Sequence, residues 1–182
     1  MNSGAQAEQL SVSLIGLPGS GKSTVGRQLA RRLHLPFADS DHVIEQRLGC
    51  PIREFFEREG EARFRDVESE VIDELTRGVG VVSTGGGAVL RDANRLYLHQ
   101  RTQVVYLKST PEELMRRLRH DTQRPLLQVQ DPLQRLRDLY AVRDPLYRET
   151  AHFVIDTGRP SVATLVNMIV MQLELAGALP RA

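Results

Sequence analysis

The fold of this chain is decided by the stretch Gly16-Leu17-Pro18-Gly19-Ser20-Gly21-Lys22-Ser23-Thr24. Its order of a glycine, four residues, a second glycine, a lysine and a serine is the spacing of a phosphate-binding loop. The apolar run 12–15 precedes it, and Val25, Leu29 and Leu33 follow at helical spacing. Between a strand and a helix, such a loop lets backbone N–H groups and the helix dipole converge on phosphate oxygens. We therefore predict that a nucleoside triphosphate binds at this loop.

Two side chains of this loop carry the chemistry that the phosphates need. Lys22 supplies a cation for the β- and γ-phosphates, and the Ser23 hydroxyl is suited to coordinate Mg²⁺. ATP is the expected co-substrate and Mg²⁺ the expected cofactor. The predicted ATP-binding residues of the loop are Gly19, Ser20, Gly21, Lys22, Ser23 and Thr24.

Short apolar runs alternate with helical patterns along the rest of the chain. This alternation predicts a three-layer α/β/α fold with a mostly five-stranded parallel sheet and right-handed crossovers. Ligands of such sheets bind at the carboxyl ends of the strands. The strands are predicted at 12–15, 35–38, 79–83, 104–107 and 153–155, with a last helix capped by Ser161.

Composition excludes several classes of function. The 182 residues suit one domain, and a net charge of +1 does not favour a nucleic-acid or membrane partner. The lone Cys50 allows no internal disulfide, and the first residues lack a secretory signal, so we expect a cytoplasmic protein. We expect one kinase domain over 11–176, a disordered extension at 1–10 and a tail at 177–182.

Two carboxylates follow the second predicted strand in Asp39-Ser40-Asp41. The third strand runs into Ser-Thr-Gly and lacks the metal-holding aspartate found there in many phosphate-loop proteins. Asp39 is the nearest replacement and can reach Mg²⁺ through water. Asp41 can then orient the hydroxyl of an acceptor for in-line attack. Either aspartate could instead cap the following helix.

Arginines later in the chain suit a phosphoryl-transfer site. Arg117 lies on a predicted helix and Arg124 in the loop after it, where 119–131 would form a mobile lid. An arginine delivered by a closing lid stabilises the charge of the transition state, and the lid excludes water. Surface exposure would explain Arg117 equally well.

The residues alone do not determine which side chains bind the acceptor. Arg65 and Arg143 each stand beside acidic residues, and simple surface ion pairs would explain both. The run Gly85-Gly86-Gly87 is harder to explain without a ligand. Three glycines weaken a helix or strand and are favoured where the backbone must closely approach a ligand.

Taken together, the chain resembles the shikimate kinase family of nucleoside-monophosphate-kinase-like P-loop NTPases, from Leu14 to about Pro160. No single later motif is decisive, but their order and spacing are specific. The matching segments are 19–24, Phe37 to Asp41, Gly60-Glu61 with Phe64-Arg65 and Glu68, 85–88, Arg124 to Leu127, and Arg143 to Tyr147.

The resemblance implies transfer of the γ-phosphoryl group of ATP to the 3-hydroxyl of shikimate, towards chorismate and the aromatic amino acids. It implies a monomer whose acceptor-binding helices span about 41–78, with Phe56 and Phe64 as apolar pocket walls. Its implied catalytic residues are Lys22, Asp41 and Arg124. The implied shikimate-binding residues are Asp41, Arg65, Gly86 and Arg143; Arg117, Arg124 and Arg159 would bind ATP, and Ser23 and Asp39 the metal.

Two other functions fit parts of this pattern. A sister kinase for gluconate or a nucleotide would share the phosphate loop, and gluconate also carries a carboxylate and hydroxyls. A non-catalytic ATP-sensing module would share the scaffold. Such a sensor would need Lys22 but not Asp39, Asp41 or Arg124.

Overall fold

The computed structural model describes residues 9–119 and 129–180. These residues form a sheet of five parallel strands in the order β2-β3-β1-β4-β5, with helices on both faces. The predicted α/β fold is therefore confirmed. The strands are β1 Ser11–Ile15, β2 Phe37–Asp39, β3 Gly80–Ser83, β4 Gln103–Lys108 and β5 Phe153–Asp156.

Within the described residues, seven α-helices connect the strands and an eighth follows β5. The long crossover between β2 and β3 holds three of them, which place a helical layer beside the phosphate loop. Ser161 caps the last helix by accepting from the Thr164 N–H, as predicted. The helices are α1 Lys22–Leu33, α2 Ser40–Leu48, α3 Ile52–Glu59, α4 Glu61–Leu75, α5 Asp92–Arg101, α6 Pro111–Leu118, α7 Pro132–Thr150 and α8 Val162–Leu175.

Alternation along β1 distributes its side chains between two cores. Val12 and Leu14 pack with α1 and α8 on one face of the sheet. Ile15 packs on the other face with Tyr106 and Tyr147. Parallel strands covered on both faces are apolar along most of their length, which explains the unbroken run Val104-Val105-Tyr106-Leu107 in β4.

A third, smaller core joins α2, α3 and α4. It contains Ile44, Phe55, Phe64 and Val71, and Cys50 packs against it while partly buried. This core is separate from the two cores on the faces of the sheet. Helices α2 to α4 therefore form a wall of their own beside the strand ends.

Helix α7 is an element that the sequence did not predict. It continues through Pro145, which has no N–H to donate to the preceding turn. Tyr147 and Leu136 are nevertheless buried along it, so packing against the sheet holds the helix together.

No helix in the described ranges has the length and hydropathy needed to cross a bilayer.

Candidate active site

The phosphate loop follows β1 and leads directly into α1. Gly21 precedes the helix with φ 93°, a conformation that favours glycine, and no side chain caps the first turn. That turn also lacks acidic residues. Lys22 is 8% exposed, and its Nζ donates to the carbonyls of Gly16 at 2.7 Å and Leu17 at 3.0 Å.

The donors of this loop are open to an anion. In residues 9–119 and 129–180, the N–H groups of Gly19, Gly21 and Ser23 donate to no protein acceptor. The buried Ser20 hydroxyl likewise has no partner there. A helix N-terminus with unpaired donors and no acidic residue favours phosphate binding.

Asp39 joins the phosphate loop to the acceptor side. Its Oδ2 accepts from the Ser23 hydroxyl at 2.5 Å, and its Oδ1 accepts from the Asp41 and His42 N–H groups that begin α2. The Ser83 hydroxyl at the end of β3 lies 3.2 Å from that of Ser23. Asp39 is therefore the helix cap and also lies against the predicted metal ligand, whereas Asp41 is not the cap.

The two predicted binding sites share one cleft of about 460 Å³ at the carboxyl ends of the strands. The phosphate loop forms one wall of this cleft, and Asp41 contributes to another. The lining residues are Pro18, Gly19, Gly21, Lys22, Ser23, Thr24, Asp39, Asp41, Thr84, Gly85 and Gly86. An ATP phosphate and a second substrate could therefore meet in this space.

Asp41 lies in an environment that disfavours its charge. Burial raises the pKa of its carboxyl above the usual 3.8, and the negative charge of Asp39 raises it further. Lys22 and Arg65 oppose these effects without cancelling them. Such a carboxylate accepts hydrogen bonds readily because few solvent donors compete for it.

This raised pKa predicts that Asp41→Asn stabilises the free protein near neutral pH. Below the usual pKa of 3.8 the carboxyl is protonated in both the folded and unfolded chains and contributes nothing. As the pH rises, the unfolded chain ionises first, so the penalty on folding grows until the pH passes the folded pKa. We expect the variant to have the higher Tm at pH 7 and an equal Tm at pH 3.5. Each kcal/mol of relieved penalty corresponds to about 2–4 °C.

Calorimetry of both proteins at the two pH values measures this difference. Asp66→Asn is the matched control, because Asp66 is an exposed carboxylate on α4 outside the cleft. A lower Tm for Asp41→Asn at pH 7 would contradict this prediction, because it would show that the buried carboxylate stabilises the folded state.

Two predicted acceptor arginines converge on Glu68, and the first of them, Arg65, also acts on Asp41. Arg65 is 13% exposed, and its Nη1 donates to Glu68 Oε1 at 2.8 Å. The buried Nε of Arg65 has no partner within the described ranges. Arg143 on α7 is close enough to lower the pKa of Glu68, although burial raises that pKa overall. Arg143 forms no ion pair of its own in the described parts of the chain.

The triglycine run lies against these side chains. An added Cβ at Gly85 would approach Asp41 Oδ1 to 2.6 Å, and one at Gly87 would approach the Arg65 guanidinium to 2.4 Å. Any larger residue would therefore displace a predicted acceptor ligand. The sequence predicted that this backbone approaches a ligand, and the close neighbours that the structure describes are side chains.

Phe56 and Phe64 pack together at the edge of this region. Their ring centroids are 5.8 Å apart, with Phe64 buried and Phe56 36% exposed. The Arg65 guanidinium lies 5.1 Å from the Phe64 ring centroid. The aromatic pair therefore adjoins Arg65.

Arg117 contacts the loop after β5, where the base of a nucleotide is expected. It donates to the Thr157 carbonyl at 2.5 Å and to the Ser109 hydroxyl at 3.2 Å. Arg159 is in the same loop, exposed, and makes no side-chain hydrogen bond or ion pair with the described residues. Arg124, the predicted lid arginine, lies outside the described residues.

Three contributors to the site carried no motif signal as individual residues. Ser40 is fully buried and accepts from the Gly85 N–H at 3.1 Å. Glu68 is 1% exposed and pairs with Arg65. Tyr147 is fully buried and donates to the Gly86 carbonyl at 2.5 Å. Each lies in a segment that resembles the shikimate kinase family, but only its position in the folded structure shows which groups it contacts.

Known proteins resemble this chain over nearly its whole length. A family model described as shikimate kinase matches residues 18–174. Curated shikimate kinases from Paracidovorax citrulli and Ralstonia nicotianae are 65% and 60% identical, covering 94% and 91% of this chain and 96% and 88% of their own lengths. A solved shikimate kinase from Acinetobacter baumannii, in complex with shikimate, is 46% identical with a TM-score of 0.88. That match covers 96% of this chain and 98% of the solved one.

Proposed function

The chain belongs to the shikimate kinase family, and on this basis we propose that it transfers the γ-phosphoryl group of ATP to the 3-hydroxyl of shikimate. The products are ADP and shikimate 3-phosphate, on the route to chorismate and the aromatic amino acids. The observation that carries the proposal is the single cleft lined by both the phosphate loop and Asp41. In-line transfer needs donor and acceptor in one space, with little room for water.

The phosphates of ATP are bound by the loop before α1. The N–H groups of Gly19, Gly21 and Ser23, which have no acceptor among the described residues, donate to the phosphate oxygens, and the α1 dipole adds to this attraction. Lys22 exchanges its contacts with the loop carbonyls for the β- and γ-phosphates. Ser20 and Thr24 complete the loop's polar lining.

The residues present fit Mg²⁺. Ser23, Asp39 and Ser83 bring oxygen atoms together at the phosphate end of the cleft, and Mg²⁺ prefers oxygen ligands while keeping several waters. Ser23 would bind the ion directly and Asp39 through water. When bound, the ion neutralises charge on the β- and γ-phosphates.

Shikimate is held at the other end of the cleft. Its carboxylate pairs with Arg143 and with the unpartnered Nε of Arg65. Asp41 accepts from the reacting hydroxyl and orients it towards the γ-phosphate. The Gly86 carbonyl is occupied by Tyr147, so the Gly86 N–H is the backbone group offered to the substrate.

The remaining predicted ATP-binding residues are arginines of the second half of the chain. Segment 119–131 serves as the lid and carries Arg124 to the transferring phosphoryl group. Arg117, fixed by Thr157 and Ser109, flanks the base with Arg159 beside it.

We also propose that the protein works in the cytoplasm as a monomer. ATP is available there, and the free thiol of Cys50 suits a reducing compartment. One chain supplies both walls of the cleft, so no partner residue is needed for the proposed chemistry. Light scattering of the purified protein measures the oligomeric state.

A coupled ADP-release assay tests the function directly. Shikimate, gluconate and nucleoside monophosphates are offered side by side at equal concentration, with Mg²⁺ and ATP. We expect rapid ADP release with shikimate alone, and shikimate 3-phosphate as the product by mass spectrometry. Faster turnover of gluconate or a nucleotide would assign the chain a different acceptor.

Arg143→Ala should mainly raise the KM for shikimate. Removing one partner of a desolvated charge pair costs about 2–5 kcal/mol, which corresponds to a rise of roughly 30-fold or more. The KM for ATP should stay within about twofold. Initial rates at varied concentrations of each substrate measure both values.

Arg135→Ala is the control, because Arg135 is an exposed arginine of the same helix. It should leave both KM values unchanged. A normal shikimate KM in Arg143→Ala would assign Arg143 a structural role only.

A further inference from the structure

Tyr147 is a buried hydroxyl between two elements of the proposed acceptor site. It lies on α7 with no exposed surface, and its hydroxyl donates to the Gly86 carbonyl at 2.5 Å. These two residues are 61 positions apart in the sequence. The bond therefore connects the helix that carries Arg143 with the triglycine run after β3.

Arg143 faces the same hydroxyl from one helical turn earlier. Burial raises the pKa of the Tyr147 phenol, and Arg143 is the first of the neighbours whose charge opposes that rise. Arg65 and Glu68 act on the same phenol. Tyr147 is thus central to the group of charged residues that would surround a carboxylated acceptor.

The bond to Gly86 has a direct consequence for the backbone. Consecutive glycines have more conformational freedom than other residues, so their backbone needs an external anchor. Because the peptide unit is planar, fixing the Gly86 carbonyl also fixes the plane of the Gly86–Gly87 peptide. Ser40 holds the start of the run through the Gly85 N–H. Tyr147 holds its middle.

The Tyr147 ring itself is fixed by packing. It contacts the Tyr106 ring with centroids 4.9 Å apart, and both rings belong to the core on that face of the sheet. The Tyr106 hydroxyl donates instead to Asp144 Oδ1 at 2.8 Å. The two tyrosines therefore share one environment, but only the Tyr147 hydroxyl contacts the triglycine run.

We propose that Tyr147 is a positioning residue for the acceptor, whose hydroxyl sets the Gly86 backbone and the Arg143 guanidinium in the geometry that binds shikimate. The proposal rests on the proposed function of the cleft. Tyr147 acts through its two neighbours and has no role in binding ATP.

Steady-state kinetics of Tyr147→Phe test this, with Tyr106→Phe as the matched control. The same atom is removed from adjacent buried rings, so any general loss of packing or stability appears in both variants. A buried carbonyl left without its donor should raise the shikimate KM of Tyr147→Phe about tenfold. The KM for ATP, and kcat at saturating shikimate, should change less than about threefold. Tyr106→Phe should keep all three values within about twofold.

A double-mutant cycle with Arg143→Ala supplies a second measurement. If Tyr147 acts partly by orienting Arg143, the two substitutions together should raise the dissociation constant of shikimate by less than the product of their separate effects. Shikimate binding is measured by calorimetry without ATP, on variants whose folded state is verified by circular dichroism. Full multiplicativity would overturn the coupling to Arg143.

The outcomes separate this inference from the function on which it rests. An inactive wild-type enzyme with shikimate would remove the proposed function. An active wild-type enzyme with an unchanged shikimate KM in Tyr147→Phe would remove the positioning role alone. Equal effects in Tyr106→Phe, or an equal rise in the KM for ATP, would also overturn it.

Discussion

Lys22→Ala should abolish phosphoryl transfer, with kcat/KM for ATP lower by about 10³-fold. Lys22 is the buried cation of the phosphate loop, and its ammonium is proposed to move from the Gly16 and Leu17 carbonyls to the phosphates. Charge on the transferring phosphoryl group then develops against a fixed positive group. Loss of one such group costs about 10²–10³-fold in other enzymes, and the effect is larger in a site with little water.

Initial rates over a range of ATP concentrations, at saturating shikimate, measure this loss. Arg27→Ala is the control, because Arg27 is an exposed cation of the same helix that lies over the Phe37 ring. Its activity should match the wild type. Near-normal transfer by a folded Lys22→Ala protein would refute the assignment of the loop to the reacting phosphates.

Asp41→Ala should reduce kcat by about 10²–10⁴-fold while ATP still binds normally. The range is that of a positioned group that accepts or aligns a proton in the transition state. The Lys22 Nζ is bound by the Gly16 and Leu17 carbonyls, so the nucleotide site should survive the loss of the Asp41 carboxylate. Asp41→Asn, which keeps the shape of the side chain, should be nearly as slow.

Calorimetric titration with an ATP analogue and steady-state turnover separate the two effects. Asp66→Asn serves again as the control and should retain full turnover. If Asp41→Ala loses nucleotide affinity in parallel with kcat, Asp41 organises the phosphate site. If kcat stays normal, Asp41 has no part in the reaction.

The phosphate loop and the parallel sheet could be predicted because both depend on local pattern. In a glycine-rich turn between an apolar strand and an amphipathic helix, the local preferences of the residues agree with the overall fold. The strand boundaries shifted by at most two residues at either end, most at β2, which was predicted at 35–38 and forms at Phe37–Asp39. Helix α7 was missed because Pro145 weakens a helix locally, whereas burial of its apolar side chains stabilises it.

The ambiguous charged residues could not be resolved from spacing alone. Arg65 has a carboxylate at both i+3 and i−4, which equally describes an exposed ion-pair network. The structure shows that Glu68 is buried, that Arg65 is largely covered and that Glu61 is exposed. The two possibilities for Asp39, helix cap or site residue, were not exclusive either. One oxygen serves each purpose.

The sequence by itself determined the phosphate loop, the layered fold and the order in which polar residues follow the strands. These features follow from neighbours in the chain and from the periodicity of apolar residues. Only the tertiary structure decided which polar groups meet: Asp41 against Gly85, Arg65 against Gly87, and Tyr147 against Gly86. Such contacts join residues tens of positions apart, and their strength depends on burial, which the packing of the whole sheet creates. Local sequence contains no measure of that burial.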